Sequence, residues 1–200
     1  MDFWFDFAST YSYLSAMRIE RLAQERGVKV AWRPFLLGPI FNAQGWPTSP
    51  FKLYPAKGLH MWRDMEHQAE KYGIAFHRPP EGDHAAFPRN SLLAARIALV
   101  GLDEAWGRPF CKAVYTAEFV DGADIGQGEV LLPLAQAAGA PADVLERAAA
   151  QDIKDRLRAQ TEKAAELGLF GAPSFTVATE LFWGDDRLED ALAFAASRDA

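Results

Sequence analysis

Asp2-Phe-Trp-Phe-Asp-Phe-Ala-Ser9-Thr-Tyr-Ser12-Tyr13 decides how the rest of the chain is read. The apolar run over residues 3–7 reads as a buried strand. Ser9 and Thr10 then offer an N-cap, and residues 11–26 read as a helix. A dithiol redox protein would carry Cys-x-x-Cys at such a strand-to-helix corner. Here the spacing is kept as Ser9-x-x-Ser12. Hydroxyls at this corner cannot exchange disulfides. They can cap the helix, or hold an anion, including a thiolate carried by another molecule, against the free N–H groups and positive dipole end of the helix.

Working outward, Gly27 closes that helix and residues 28–32 alternate as a second strand that Pro34 ends, giving a β–α–β unit. Residues 36–52, rich in Gly, Pro, Asn and Ser, read as a long loop. Helical patterns follow over 54–72, with Gly73 as the stop, then over 89–100 and 104–120 with Gly101 between them, 127–138, 142–150 and 151–167; residues 77–87 read as loop. Strand character returns at 173–177 and 181–183. A last helix over 187–197 has Asp186 at its head and Glu189 three residues on, a capping-box spacing. The two terminal pieces must share one sheet, since neither covers a core alone. The expected fold class is α/β. The division expected is a discontinuous sheet domain, 1–35 and 170–200, joined through the helix 151–168, with a helical insertion over 36–150.

Half of the 200 residues are apolar, enough to bury a sizeable core. The net charge of −6 gives no bulk attraction to nucleic acid or anionic membrane. No run approaches the roughly 20 apolar residues of a membrane span. The chain enters a strand directly after Met1-Asp2, so a cytoplasmic protein is expected. Cys111 is the single cysteine and reads as a buried small hydrophobe. His60, His67, His77 and His84 show no metal-ligand spacing, and no Gly-rich phosphate loop is present. Phe41 and Trp46, in an otherwise polar stretch, are candidate walls for a flat aromatic ligand.

Six segments, in order, carry a family resemblance: Phe5-Asp-Phe-Ala-Ser-Thr-Tyr-Ser-Tyr-Leu14, Arg33-Pro-Phe-Leu-Leu-Gly-Pro-Ile-Phe41, Tyr54-Pro-Ala-Lys-Gly58, Asn90, Phe170-Gly-Ala-Pro-Ser174 and Phe182-Trp-Gly-Asp-Asp-Arg187. The pattern resembles the thioredoxin-like fold with the all-α insertion domain of disulfide-bond oxidoreductases. In detail it is similar to the glutathione-using branch, the kappa-class glutathione transferases and 2-hydroxychromene-2-carboxylate isomerases. Two positions depart from that pattern: Thr10 stands where proline is frequent, and Trp46 where asparagine is.

The resemblance implies a glutathione cofactor, a small aromatic substrate and a homodimer. It implies that the Ser9 hydroxyl donates to the glutathione sulfur, and that Pro173 follows a cis peptide bond at which the Ala172 backbone meets the cysteinyl unit; Ser12, one turn on from Ser9, is expected to face back into the helix with a minor role at most. Asp185 and Asp186 would meet the γ-glutamyl end. Lys57 would meet the glycyl carboxylate or an anionic substrate. Trp46 would stand at the ligand loop, and Asn90 would either contact the ligand or cap a helix. Arg33 and Arg187 are expected in ion pairs near the site. The leading activity is a glutathione-dependent isomerisation by reversible thiolate addition. The alternatives are a kappa-like transferase and a non-catalytic binding module.

Overall fold

The computed structural model describes residues 1–80 and 87–198. Four short strands form one sheet in the order β2-β1-β3-β4: β1 (Asp2–Phe5), β2 (Ala31–Pro34), β3 (Ser174–Val177) and β4 (Glu180–Trp183). β1 pairs parallel with β2 and antiparallel with β3, and β3 pairs antiparallel with β4. The crossover from β1 to β2 is α1 (Thr10–Glu25). Gly27 stops it in a left-handed conformation, φ +66°.

β1 is apolar on both faces because both are covered. Phe3 and Phe5 stack toward Trp32 and Phe175 in the main core, while Trp4 points to the opposite face and packs edge-on to Phe35, beside Ile40 and Leu169. The helices between β2 and β3 are α2 (Leu37–Ala43), α3 (Pro50–Leu53), α4 (Pro55–Tyr72), α5 (Leu92–Leu102), α6 (Gly107–Phe119), α7 (Gly128–Ala138), α8 (Val144–Ala149) and α9 (Gln151–Glu166). The apolar cluster that begins at Phe3 continues through Met61, Ile97, Phe110 and Leu131, so these helices and the sheet share one core. A 3-10 turn (Asp185–Arg187) leads into α10 (Leu188–Arg198), which packs on β3 and α1.

Several expectations are corrected. The segment 36–52 is not a bare loop; it holds α2 and α3. The N–H of Leu37 at the start of α2 donates to the Asp6 carboxylate (2.7 Å), a partner 31 residues away that local sequence cannot reveal. α3 has Pro50 in its first turn and Ser49 accepting from Phe51 N–H. β2 starts later than expected and includes Pro34, which an edge strand tolerates. Gly101 does not separate two helices; it lies inside α5, where Trp106 and Gly107 approach its bare Cα. Glu189 closes no capping box, because it pairs with Arg18 instead.

Candidate active site

Ser9 is the N-cap of α1, with extended backbone (φ −92°, ψ 114°). Asp6 sets this turn. Its carbonyl accepts from Ser9 N–H and from the Tyr115 hydroxyl, and its carboxylate accepts from Ala8 N–H (3.0 Å) as well as from Leu37. Burial raises the Asp6 carboxyl pKa, and the backbone donors from Leu37 and Ala8 only partly oppose that. The Ser9 hydroxyl accepts from Ser12 N–H (3.2 Å) and donates to Ala172 O (2.9 Å). The Ala172–Pro173 peptide bond is cis, as is Phe87–Pro88. Ser9 therefore does cap the helix. The N–H groups of Thr10 and Tyr11, in the first turn, have no carbonyl to reach within the helix.

Ser9 and Ala172 face a cleft of about 1110 Å³. Ser9, Trp46, Lys57, Asn90, Ala172 and Pro173, together with Asp185 and Asp186, line it. Their roles diverge. Phe41 and Trp46 form one wall, ring centroids 5.8 Å apart. Phe170 and Trp183 form another part of the lining, 4.9 Å apart and both exposed. That part depends on Gly171, where a Cβ would lie 2.4 Å from Trp183 Nε1. Lys57 stands 5.1 Å from the Tyr54 ring centroid. Asn90 caps α5 by accepting from Leu92 N–H (3.0 Å). Asp185 is buried, with Oδ1 taken by Ser15 Oγ and Arg18, both at 2.8 Å. Its neighbour Asp186 is exposed and 3.8 Å from Arg187.

Other expected positions fall outside the cleft. Ser12, on α1, is buried and does not line the cleft, in keeping with its expected turn back into the helix. Arg33 pairs with Asp2 at the sheet edge, not beside the site, whereas Arg187 lines the cleft and pairs with Asp190. Cys111 is fully buried, which pushes its thiol pKa far up and leaves it inert. His84 lies outside the described residues. His60 and His67 lie on α4, and His77 Nδ1 meets Val120 O. Tyr11, Asp64 and Gln68 are among the cleft residues that escaped the sequence reading. Tyr11 donates to Asp64 (2.8 Å), and Gln68 donates to the other oxygen of the same carboxylate (3.2 Å). The four-residue spacing of Asp64 and Gln68 on α4 was the available signal.

A family profile described as a DSBA-like thioredoxin domain matches residues 1–194. The chain belongs to the DsbA-like thioredoxin family. Within it, the chain is 30% identical over 191 residues to 2-hydroxychromene-2-carboxylate isomerase of Sphingobium xenophagum, with 94% of both chains covered. It is 28% identical over 204 residues to glutathione S-transferase kappa 1 of Homo sapiens, covering 94% of this chain and 87% of that one. A solved 2-hydroxychromene-2-carboxylate isomerase superimposes with a TM-score of 0.84 at 24% identity, over 99% of this chain and 96% of the other, and so shares the DsbA-like fold.

Proposed function

We propose that this protein is a glutathione-dependent isomerase that acts on a small aromatic substrate. The observation that carries the reading is the Ser9 hydroxyl at the α1 N-terminus, facing the cleft against Ala172 where a redox relative would present sulfur. No cysteine lines that cleft among the described residues. The donor set fits a zwitterionic tripeptide. Exposed Asp186 offers a carboxylate to an ammonium at one side, Lys57 offers an ammonium to a carboxylate, and the Ser9 turn lies in the same cleft. Relatives named as an isomerase, at 30% identity, and as a kappa-class transferase, at 28%, both support a glutathione-using site.

When bound, glutathione would supply the thiolate that adds to a conjugated system and leaves after bond rotation. The chain's own residues hold and orient. The Ser9 hydroxyl, which donates to Ala172 O in the free protein, would be placed to donate to the sulfur instead. The first-turn N–H groups and the helix dipole stabilise negative charge there. The Lys57 charge in the same cleft also favours the negative charge that develops on the substrate oxygen. The aromatic walls align a flat substrate and exclude water. A cytoplasmic homodimer is part of this reading.

Calorimetric titration with glutathione, followed by mass analysis of products from an aromatic α,β-unsaturated keto acid, tests the proposal. We expect binding and an isomerised product of unchanged mass with glutathione recovered. A product that retains glutathione would make the protein a kappa-like transferase. Absence of binding would leave a binding module of another kind.

A further inference from the structure

Arg18 lies outside the cleft, on the buried side of α1, yet it makes the densest set of polar contacts behind it. Its guanidinium is 5% exposed. Nη2 meets Asp185 Oδ1 at 2.8 Å and the Asp185 carbonyl at 3.5 Å. Nη1 meets Glu189 Oε1 at 2.6 Å. Nε reaches back to Leu14 O, and the plane lies 3.6 Å from the centre of the Tyr72 ring. Ser15 Oγ donates to the same Asp185 oxygen at 2.8 Å. One side chain thus ties α1, α4, the 3-10 turn and α10 together.

The Arg18 and Asp185 charges have no water to fall back on, whereas Glu189 is half-exposed. A buried guanidinium needs its carboxylate, and a buried carboxylate its guanidinium. Any movement of the turn that drew Asp185 away would strand both, so the turn has one favourable position. That position is also where Gly184 and Asp186, the residues flanking Asp185, reach the cleft. The fork shape matters as well. A planar guanidinium can bond Asp185 and Glu189 at once while stacked on Tyr72, which a lysine ammonium cannot reproduce.

We infer that Arg18 is a positioning residue that fixes the Gly184–Asp186 turn from behind and thereby selects thiols bearing a γ-glutamyl group. The inference rests on the proposed glutathione reading, in which this turn meets the γ-glutamyl end. Arg18 touches no ligand; it acts through Asp185.

The test compares two thiols, glutathione and cysteinylglycine, which lacks the γ-glutamyl group. Affinities for both are measured by calorimetry on wild type, Arg18→Lys and Glu189→Gln, with melting curves for each protein. Arg18→Lys should loosen glutathione about tenfold while leaving cysteinylglycine unchanged. Glu189→Gln, which removes only the half-exposed arm of the node, should loosen glutathione about threefold. Equal losses for both thiols, or an unchanged ratio in a well-folded Arg18→Lys, overturn the inference. Should Arg18→Lys fail to fold, the Glu189→Gln ratio decides, and an unchanged ratio is a refutation. A wild-type protein without preference between the two thiols removes the γ-glutamyl reading and this inference with it. A wild-type preference that the variants preserve removes the inference alone.

Discussion

Ser9 has two acceptors competing for one proton. In the free protein the proton goes to Ala172 O, and the hydroxyl oxygen caps Ser12 N–H. A thiolate at the corner would draw the proton away while leaving the cap intact, because capping uses the lone pair. The two duties are therefore separable by measurement, since one is read from the bound thiol and the other from stability. Ser9→Ala should raise the pKa of bound glutathione thiol by about 1–2 units, the worth of one hydrogen bond to a charged group. Ultraviolet thiolate absorbance followed against pH measures this. An unchanged pKa would reduce Ser9 to its capping duty. Loss of the cap adds a separate cost of about 1 kcal/mol in stability, read from denaturant curves.

Helix boundaries show which signals are local and which are not. α1, α4 and α7 were legible because periodicity and a following glycine, Gly27, Gly73 or Gly139, lie within the segment itself. α2 was not, since Asp6 fixes its first N–H from another element. Nor were the Tyr11–Asp64 bond, 53 residues apart, and the Arg18–Asp185 pair, 167 apart; both join residues that only the fold brings together. Gly101 misled for a related reason. A glycine within a helical pattern reads as a break, yet here it admits a crossing neighbour. A Cβ at Gly101 would lie 2.4 Å from Trp106 Cζ3 and 2.8 Å from Gly107 Cα. Gly101→Ala gains about 1 kcal/mol of helix propensity but must displace an indole and backbone. The net expectation is a loss of about 1–2 kcal/mol, seen as a lower denaturant midpoint. A stabilised variant would show that the α5–α6 corner yields easily.

At the level of the whole molecule, the sheet frame and the cleft's membership could be read from the chain, but its internal charge could not. Glu118 on α6 is buried, and neither carboxylate oxygen has a partner among the described residues. Burial pushes its pKa well above the ordinary 4.5; negative Asp6 and Asp124 add to the rise and Arg89 opposes it. The folded state thus holds a proton that the unfolded chain releases. Its stabilising effect is present at low pH and is lost as pH rises through the folded pKa. Glu118→Gln should therefore flatten the decline in stability as pH rises above the ordinary carboxylate range, and should be the more stable protein at the upper end of the range tested. Urea midpoints across that range decide, and parallel curves for the two proteins would refute the prediction. The sheet order carries a consequence of another kind. β1 is a middle strand whose second neighbour, β3, begins only at Ser174. While the chain is being synthesised, one side of its first strand stays unpaired until nearly all the helices have emerged from the ribosome. Factors that shield nascent chains would therefore have the aromatic strand Phe3-Trp4-Phe5 to guard while those helices are made.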